Sequence, residues 1–357
     1  MGSDTTMNAA VLHGPNDLRF EVVERPTPKA DEALVAISVN GICGSDIHFF
    51  KEGRLGPFVV DRPYIPGHEA AGRVVRVGAL ATGIHDGDRV AIEPGIPCRR
   101  CRHCKTGRYN LCRSVRFLSA PPENGTFAEY AALPADFLHR IPDTMSDEEA
   151  AFAEPLSVAI QACNRAALKP ATSFVVLGAG PIGLITYLTA VAYGAGPGTI
   201  VDLNANRLEF ARTLSGVQTL NPAGDDVVRS VVDMTDGGAE TVFDCTGSSK
   251  AAALAPELAA AGGVVVLVGW PEVANPAFPL ETILEKELDV RGVNRYCNTF
   301  PAAIRLLSDR RVDLRPLISH RFPFSSVVDA FSFAAGSPSE TIKVMVGATG
   351  HRERGVV

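Results

Sequence analysis

From residue 173 onward the sequence alternates short apolar runs with helix-forming stretches, and this alternation restricts the fold more than any other feature. Between the runs lie stretches such as ANRLEFARTL and SKAAALAPELAAA, which favour helices. The apolar runs are SFVVL, TIVDL, TVFDC and VVVLVG. Strands that alternate with helices form a parallel sheet covered by helices on both faces. The second half of the chain therefore predicts an α/β fold with a doubly wound parallel sheet.

The first half has a different pattern, from about residue 8 to residue 155. ALVAISV alternates between apolar and smaller residues, GRVVRVG and DRVAI are rich in β-branched residues, and Asp86-Gly87-Asp88 is a turn signal. This pattern predicts a β-barrel-like domain with long loops. After VRGV the alternation stops, and AAIRLLSDRR predicts a helix in a tail that folds back on the first domain. The predicted domains are residues 1–155, 156–294 and 295–357.

Composition excludes several classes of protein. The net charge of −6 over 357 residues gives no general attraction to nucleic acid or to an anionic membrane. No window reaches the roughly 18 unbroken apolar residues of a membrane span. The first residues, MGSDTTMNAAVLHG, lack the apolar run of a signal peptide, so we expect a cytoplasmic protein with reduced cysteines.

A glycine-rich loop follows the first apolar run. FVVL ends at Gly178, and the loop continues as Gly178-Ala179-Gly180-Pro181-Ile182-Gly183 before an apolar helical stretch. The first glycine permits a tight turn, the second lets the backbone approach a pyrophosphate, and the third lets the helix pack on the strand. Pro181 is tolerated at a helix start, where free N–H groups attract phosphate. Taken alone, the loop could also be an ordinary glycine-rich turn.

An acidic residue at the end of the second run strengthens the prediction. Asp202 lies nineteen residues after Gly183, where it would accept hydrogen bonds from adenosine ribose hydroxyls and repel a 2′-phosphate. Strand, loop, helix and acid together predict a dinucleotide site in which Gly178, Gly180, Pro181, Ile182, Gly183 and Asp202 contact the cofactor. They favour NAD over NADP. Arg207 is close enough in sequence to contact the adenosine side, although it could equally be an ordinary helix-surface arginine.

Four cysteines cluster in a lobe at residues 96–113. Cys98, Cys101, Cys104 and Cys112 have the spacing C-x2-C-x2-C-x7-C, which lets four thiolates converge on one tetrahedral ion. Disulfides and an iron–sulfur cluster are alternatives, but a chain without a secretion signal favours zinc. A zinc ion with four cysteine ligands has no open position, so its role would be structural.

Basic residues surround these cysteines, with five Arg or Lys between the first and the last. A nucleic-acid-binding finger would present a recognition helix to the base edges, whereas this segment has the short spacings of a compact loop. We therefore predict a solvated lobe and no nucleic-acid partner.

Three other segments contain residue types that bind metals, and each has an ordinary explanation when taken alone. GICGSDIH contains Cys43, which could be a buried thiol, and PGHEAAG contains His68 and Glu69, which could be a core histidine and a surface charge. AEPLS contains Glu154, which could be an acid at a helix start.

Taken together and in this order, the motifs resemble the medium-chain zinc-containing dehydrogenases over nearly the whole chain. The sorbitol and xylitol (polyol) dehydrogenases are the most similar branch, through GICGSDIHFF, GHEAAG, RVAIEPG, GRYNLC, EPLSV, GAGPIG and RYCNT. The resemblance implies a GroES-like catalytic domain, a Rossmann NAD-binding domain, an active site in the cleft between them, and a homotetramer. It also implies the NAD-linked, reversible oxidation of a secondary hydroxyl of a sugar alcohol to a ketose, with one catalytic and one structural zinc.

By this resemblance, Cys43, His68 and Glu69 would hold the catalytic zinc, and Glu154 would be a direct ligand or be linked through water. Alcohol dehydrogenases proper have cysteine where this chain has Glu154. A carboxylate in place of a thiolate gives a harder, more labile site with a position for water or substrate. Whether Glu69 or Glu154 is the third protein ligand stays open, because carboxylates readily exchange between direct and indirect contact.

A proton released at this site needs a route to solvent. Ser45, two residues after Cys43, fits the first hydroxyl of such a route, and His48 fits an outer acceptor, because imidazole titrates near neutral pH. The alternative for His48 is a loop histidine with no catalytic role. Together with Glu154, these residues are the predicted catalytic groups.

The resemblance also assigns substrate contacts. Arg295 and Tyr296 would reach substrate hydroxyls, and Phe117 would form an apolar wall. Phe49 stands where many polyol dehydrogenases have tyrosine, and the loss of one hydrogen-bond donor can change the order of preferred substrates. The choice of substrate among sorbitol, xylitol and arabinitol therefore stays open. A butanediol or threonine, oxidised by the same catalytic groups, is a further alternative. A non-catalytic NAD-binding or zinc-stabilised interaction protein is the alternative from a different class.

Overall fold

The structure is a computed structural model that describes residues 5–337 and 339–347. The chain divides into two units: the first combines Met1–Glu154 with Phe300–Val357, and the second is Pro155–Thr299. The domain boundaries expected from the sequence, after residues 155 and 294, stay a prediction.

The first segment of the chain contains short strands and few helices. Its strands are β1 (Thr6–Gly14), β2 (Asp17–Glu24), β3 (Glu32–Gly41), β4 (Arg54–Leu55), β5 (Phe58–Val59), β6 (Glu69–Val77), β7 (Arg89–Ile92), β8 (Gly95–Ile96), β9 (Arg116–Phe117), β10 (Tyr130–Pro134) and β11 (Leu138–Arg140). Its helices are α1 (Gly44–Glu52), α2 (Arg102–Lys105) and α3 (Asp147–Ala151), followed by α4 (Ala153–Ala166) at the boundary between the units.

The rest of the chain first alternates strands and helices and then returns to the first unit. The strands of the second unit are β12 (Phe174–Leu177), β13 (Gly198–Val201), β14 (Val217–Leu220), β15 (Ala239–Asp244), β16 (Ala259–Leu267) and β17 (Asp289–Gly292). Its helices are α5 (Pro181–Ala192), α6 (Ala205–Ala211), α7 (Val227–Thr235), α8 (Ser249–Leu258) and α9 (Leu280–Glu285). The final segment contains α10 (Phe300–Ser308), β18 (Ile318–Pro323), α11 (Val327–Gly336) and β19 (Lys343–Gly347).

The second unit has a parallel sheet in the order β14-β13-β12-β15-β16-β17. The order reverses between β12 and β15, the position at which doubly wound folds bind nucleotides beyond the carboxyl ends of their strands. All four residues of β12 are buried, as expected for a strand covered by helices on both faces. The predicted doubly wound sheet is therefore confirmed.

One element boundary differs from the sequence pattern. The stretch SKAAALAPELAAA predicts a continuous helix, but α8 ends at Leu258, and the last three alanines begin β16. Ala259 pairs with Ala239 of the neighbouring strand. Pairing with the sheet therefore overrides the helix preference of alanine.

In the first unit, β3 is the central strand of a sheet in the order β11-β7-β6-β3-β19-β18, and β10 also pairs with β3. One edge of β3 pairs with β6, and the other pairs with β10 and then with β19. The C-terminal strand β19 thus becomes part of the sheet that carries Gly41 and Glu69. Among the described residues, no helix is long and apolar enough to cross a membrane.

A capping box fixes the start of α3, which lies a few residues before the boundary between the units in the sequence. The backbone N–H of Ser146 donates to Glu149 Oε2 at 2.9 Å, and the Glu149 N–H donates to Ser146 Oγ at 3.2 Å. Glu149 is buried and also forms an ion pair with Arg310 of the final segment. Burial alone would raise the pKa of Glu149, but the Ser146 hydrogen bonds and the charge of Arg310 lower it below its ordinary value.

Replacing Glu149 should therefore lower stability in a pH-dependent way. We expect Glu149→Ala to lower the free energy of unfolding by about 1–2 kcal/mol at pH 7, measured by urea denaturation. Glu149→Gln retains a capping oxygen and loses only the charge. Because the folded-state pKa is depressed, the charge stabilises the fold above the ordinary value of 4.5, and this stabilisation is lost as the pH falls through the folded-state pKa.

The difference between the wild type and Glu149→Gln should accordingly shrink on acidification. The matched control is Glu148→Gln, since Glu148 is more exposed and forms its ion pair with the exposed Arg321. This control should change the free energy of unfolding by less than about 0.5 kcal/mol. A difference for Glu149→Gln that grows as the pH falls would contradict the assignment.

Candidate active site

Three of the predicted metal ligands converge in the first unit. Cys43 caps the start of α1, His68 directly precedes β6, and Glu69 is the first residue of β6. One sulfur, one ring nitrogen and one carboxylate oxygen from these residues lie within 4.8 Å of one another. Together they form a mixed sulfur, nitrogen and oxygen donor set of the kind that binds catalytic zinc.

A buried carboxylate lies beside His68. Nδ1 of His68 lies 3.6 Å from Oδ1 of Asp46, which is fully buried. Asp46 also accepts hydrogen bonds from Ser119 Oγ at 2.7 Å and from the Cys43 N–H at 3.0 Å. Burial disfavours charge on both groups, but their mutual attraction lowers the pKa of Asp46 and raises that of His68. The carboxylate favours a proton on Nδ1, which leaves the lone pair of Nε2 for a ligand.

A buried ammonium group lies beside Glu69. Nζ of Lys343, in β19, donates to Glu69 Oε1 at 2.9 Å and to Oε2 at 2.6 Å. Burial opposes the charge on Lys343, but Glu69, Cys43 and Glu154 together raise its pKa. Gly41 faces Glu69 across the β3–β6 pair, and a Cβ at Gly41 would overlap with Glu69 Oε2. The glycine therefore makes room for this ion pair.

The cysteine lobe also has the geometry of a metal site. Cys98, Cys101, Cys104 and Cys112 are free thiols whose sulfur atoms lie within 4.8 Å of one another. Cys104 Sγ lies 3.5 Å from Cys101 Sγ and 4.0 Å from Cys98 Sγ. A tetrahedral zinc with bonds of about 2.3 Å places its sulfurs about 3.8 Å apart, whereas a disulfide bond measures about 2.05 Å. The sulfur separations fit zinc.

The charges within the lobe also favour a cation. The N–H groups of Arg100 and Cys101 lower the pKa of the Cys98 thiol to about 6. Desolvation and the neighbouring thiols raise the pKa of Cys104 to about 12. Four thiols this close resist simultaneous ionisation, and a divalent ion removes that resistance.

Hydrogen bonds and ion pairs attach the lobe to the sheet of the first unit. Tyr109 Oη donates to Glu93 Oε1 at 2.6 Å, and His139 Nε2 lies 2.8 Å from Glu93 Oε2. Arg99 pairs with Asp136 at 2.6 Å. One of the basic residues of the lobe therefore contributes to its attachment.

In the second unit, the glycine-rich loop joins β12 to α5. Gly178 has φ +100°, a conformation that favours glycine, and Gly180 is the N-cap of α5. A Cβ at Gly183 would overlap with the carbonyl oxygen of Gly178, so helix and strand approach closely there. Pro181 and Ile182 form the first turn of α5, where free N–H groups are available to phosphate.

Asp202 lies beside this loop. Its Oδ2 accepts a hydrogen bond from the Ala179 N–H at 2.6 Å, and its Oδ1 accepts one from the Asn204 N–H at 2.7 Å. Each carboxylate oxygen retains a lone pair for a ribose hydroxyl. A Cβ built on Gly180 would lie 3.7 Å from Arg207 Nη1, so this guanidinium borders the loop. The loop, Asp202 and Arg207 thus form one cradle that fits a dinucleotide.

Two family models match the chain. The model described as "Alcohol dehydrogenase GroES-like domain" matches residues 29–143, and that described as "Zinc-binding dehydrogenase" matches residues 181–309. Sorbitol dehydrogenase of Rattus norvegicus is 40% identical over 91% of this chain and 91% of its own length. Sorbitol dehydrogenase of Bacillus subtilis (strain 168) is 38% identical over 95% of this chain and 97% of its own length.

The chain belongs to the medium-chain zinc-containing alcohol dehydrogenase family. Within that family it belongs to the polyol dehydrogenase branch, and its first unit has the predicted GroES-like fold. The chain is therefore an oxidoreductase, and zinc and NAD(P) are the cofactors of its family. The family acts on small molecules.

Solved structures of dehydrogenases are similar to the chain over nearly its whole length. An oxidoreductase/dehydrogenase of unknown specificity from Escherichia coli has a TM-score of 0.92 at 33% identity, covering 97% of this chain and 100% of that chain. The 2R,3R-butanediol dehydrogenase of Bacillus subtilis has a TM-score of 0.88 at 29% identity, covering 96% and 100%.

The predicted catalytic residues occupy different surroundings in this dehydrogenase. Ser45 is half-buried in the first turn of α1, and His48 is exposed on the same helix, with Nδ1 3.4 Å from Glu52 Oε1. Glu154 is buried in the first turn of α4. Cys43, His68 and Glu69 have donor atoms within 4.8 Å of one another, and Glu154 does not belong to this group.

The residues predicted to contact the substrate also lie in different surroundings. The Phe117 ring lies 5.6 Å from the His68 ring, beside the metal ligands. Phe49 is buried in the hydrophobic core, with its ring edge-on to Tyr64 at 6.1 Å. Arg295 and Tyr296 belong to the second unit, in the irregular stretch after β17. Their roles in substrate binding stay predictions.

The sequence interpretation missed Asp46 and Lys343. Asp46 lies inside the quoted motif GICGSDIH, so its proximity to Cys43 was a usable signal. Lys343 is a lysine in the run TIKVMV, and a charged residue in a buried strand requires a partner. Only the pairing of β19 with β3 reveals that this partner is Glu69.

The two metal sites should respond differently to the loss of one cysteine. We expect the wild type to bind about two zinc ions per chain, and Cys43→Ser to bind about one while its Tm stays nearly unchanged. Cys101→Ser should lower Tm by about 5–10 °C, because the lobe loses the ion that closes it. Metal analysis and calorimetry measure both effects. The opposite pattern would mean that the structural and catalytic assignments are exchanged.

The cofactor preference should depend on Asp202. We expect Asp202→Ala to raise the Kd of NADH at least about tenfold, through the loss of charged hydrogen bonds to ribose. The same change should bring the Kd values of NADH and NADPH closer together, which fluorescence titration can measure. Asp233→Ala, which removes an exposed acid from α7, is the matched control. Unchanged relative affinities in Asp202→Ala would remove this residue from the cofactor site.

Proposed function

We propose that this protein is a zinc-dependent, NAD-linked polyol dehydrogenase. It oxidises a secondary hydroxyl of a sugar alcohol of the sorbitol, xylitol or arabinitol type to a ketose, reversibly. The observation that carries the proposal is the convergence of Cys43, His68 and Glu69 in a chain 40% identical to a sorbitol dehydrogenase.

Cys43 and His68 are the proposed resident ligands of the catalytic zinc, with Glu69 and Glu154 as the candidate acidic ligands. When bound, zinc supplies Lewis acidity, which lowers the pKa of the hydroxyl group to be oxidised. The Asp46 carboxylate lies 3.6 Å from Nδ1 of His68, and its charge favours a proton on that nitrogen, so that Nε2 is the nitrogen available to a metal ion. The four lobe cysteines bind the structural zinc.

Ser45 and His48 are the proposed proton route. Ser45 lies two residues from Cys43, where its hydroxyl relays the proton that the substrate loses, accepting it while donating its own proton outward. His48 is exposed on the same helix, and contact with solvent is what an outer proton acceptor requires. Glu154 is the third proposed catalytic group.

Substrate orientation is assigned to a mixed set of side chains. The Phe117 ring, next to His68, provides an apolar wall for the carbon chain of the polyol. Arg295 and Tyr296 are the proposed donors to hydroxyls beyond the reacting carbon. Phe49 would contribute apolar surface only, because it lacks a hydroxyl.

The second unit binds the hydride acceptor. We assign NAD to the cradle of Gly178, Gly180, Pro181, Ile182 and Gly183, with Asp202 on the adenosine ribose and Arg207 at its border. The negative charge of Asp202 disfavours the 2′-phosphate of NADP.

The proposed assembly is a homotetramer in the cytoplasm, without nucleic-acid or membrane partners. Exposed apolar side chains lie in the segment before the edge strand β17 and in that strand. They support association between copies of the chain. They are Trp270 (54% exposed), Val273 (48%), Leu280 (68%), Leu284 (78%) and Val290 (38%).

A second candidate function uses the same machinery on a smaller secondary alcohol such as a butanediol; threonine is a further candidate. The observations that favour a smaller alcohol are the phenylalanine at position 49, which offers no hydroxyl to a long polyol, and the similarity to the 2R,3R-butanediol dehydrogenase of Bacillus subtilis.

Steady-state kinetics on a panel of alcohols test the proposal. With NAD, we expect kcat/KM for at least one pentitol or hexitol to exceed that for 2,3-butanediol and threonine by about tenfold or more, since polar groups that match a substrate hydroxyl discriminate strongly. A tenfold advantage for butanediol or threonine would refute the polyol assignment.

The same panel, repeated after chelation, tests the proposed dependence on zinc. Removal of the labile zinc should abolish NADH formation, and added zinc should restore it. NADH formation that continues after the labile zinc has been removed would refute the zinc dependence.

A further inference from the structure

Three neighbouring strands of the first unit each contribute one arginine to a single pocket. The strands are β11, β7 and β6, which follow one another in the sheet, and their arginines are Arg140, Arg89 and Arg73. The pocket has a volume of about 460 Å³, and its lining belongs to the first unit alone. The described residues that line it include none of the proposed ligands of the catalytic zinc. We call it the arginine pocket.

The sheet places these three like charges close together. Arg73 stands directly opposite Arg89 in the antiparallel β6–β7 pair. On the other edge of β7, the N–H of Ile141 donates to the Arg89 carbonyl at 3.0 Å, so Arg140 lies next to Arg89 in the neighbouring strand. Like charges in directly opposite positions destabilise a sheet, so this arrangement is more stable when negative charge lies beside it.

The charge of Arg89 is compensated within the protein. Its Nε donates to Asp147 Oδ1 at 3.1 Å, and its Nη2 donates to the Met145 carbonyl at 2.7 Å. Its Nη1 contacts the carbonyls of Pro142 and Asp143 at 3.5 and 3.4 Å. Arg89 therefore serves the fold, and its donors are not available to a ligand.

Arg73 and Arg140 keep their charges available. Nη1 of Arg73 donates to the Gly87 carbonyl at 2.7 Å, and this acceptor is neutral. Both side chains are exposed, and neither forms an ion pair with another described residue. A guanidinium group carries five N–H donors in a planar fork, so most of the donors of these two groups can bind a ligand.

Two aspartates also line the pocket, and neither pairs with the two available arginines. Asp88 is engaged elsewhere, because its Oδ2 accepts the His85 N–H at 2.8 Å and lies 3.6 Å from His85 Nδ1. Asp143 is exposed, and its contact with Arg89 uses the backbone carbonyl. The Asp143 carboxylate is therefore the one unengaged negative group in the described lining.

We propose that the arginine pocket is a binding site for a phosphate group, carried either by free phosphate or by a phosphate monoester of a sugar. The fork of a guanidinium group matches two oxygens of a phosphate, and such charged pairs form strong hydrogen bonds. A phosphate carries nearly two negative charges at pH 7, so one phosphate can compensate both Arg73 and Arg140.

The size and the walls of the pocket allow for more than an inorganic ion. A water molecule takes about 30 Å³ in the liquid, so a pocket of about 460 Å³ has room for a sugar beside the phosphate. Ile141, Pro142 and Ile304 provide apolar surface for the carbon atoms of such a ligand.

The arginine pocket is separate from the candidate metal centre. Arg73 follows Glu69 by four residues along β6, which corresponds to about 13 Å of extended strand. The proposal goes beyond the proposed function, since it depends neither on the zinc assignment nor on the identity of the alcohol.

Calorimetric titration of the full chain with inorganic phosphate, and separately with glucose 6-phosphate, tests the proposal. Sodium chloride keeps the ionic strength constant, so that general screening does not change during the titration. Saturating NADH occupies the cofactor cradle, because the first turn of α5 also attracts phosphate. We expect both probes to bind under these conditions. Binding that disappears when NADH is present would belong to the cradle and would overturn the proposal.

Two arginine variants locate the bound phosphate. Arg73→Gln and Arg140→Gln should each raise the Kd by about tenfold or more, through the loss of charged hydrogen bonds. Both positions are exposed, so we expect both variants to fold. The matched control is Arg62→Gln, an exposed arginine outside the pocket, which should change the Kd by less than about twofold. Equal Kd values in all three variants would contradict the assignment.

A third variant should act in the opposite direction. Asp143→Asn removes the unengaged negative charge of the lining, so we expect it to lower the Kd of either probe by about threefold or more. An unchanged or raised Kd in Asp143→Asn would show that phosphate binds elsewhere.

The two probes distinguish the two sources of the phosphate group. A lower Kd for glucose 6-phosphate than for inorganic phosphate would support a sugar monoester as the ligand, whereas equal values would support free phosphate. Absence of binding by both probes would refute the proposal. Because no alcohol is present in these titrations, a failure of the polyol assignment in steady-state kinetics would leave the phosphate site standing.

Discussion

The first unit is organised by the need to compensate buried charge. Asp46, His68, Glu69 and Lys343 each expose 5% of their surface or less. An isolated buried charge is costly, whereas a pair with good geometry is tolerated. The pairs Asp46–His68 and Glu69–Lys343 satisfy this requirement. The same contacts that permit burial also fix the positions of the metal-binding atoms.

This requirement explains the arrangement of the chain around the sheet. Lys343 lies 274 residues after Glu69, yet β19 joins the edge of β3 and delivers the ammonium group to that carboxylate. The C-terminal segment is therefore part of the site and not an accessory to it. A glycine is required at position 41, because any side chain there would occupy the space of the Glu69 carboxylate.

The cysteine lobe and the cofactor loop depend on more local rules. The lobe brings four sulfurs together within a single short segment, and Glu93 fastens it to the sheet through Tyr109 and His139. Arg99 forms an ion pair with Asp136, so this basic residue of the lobe has a structural role. In the second unit, Gly178 takes its positive φ at the end of a buried strand, as the loop pattern requires.

Elements that depend on local interactions could be predicted from the order of the amino acids. The alternation of strands and helices predicted the parallel sheet, the spacing of Cys98 to Cys112 predicted the four-sulfur site, and the glycine pattern with Asp202 predicted the cradle. Helix preference failed at the last alanines of SKAAALAPELAAA, because pairing between β15 and β16 overrode it. The folded chain was needed to show that Asp46 faces His68 and that Lys343 forms an ion pair with Glu69. A strand pattern shows which residues are buried, whereas the partner of a buried charge depends on which distant strands pair and in what register.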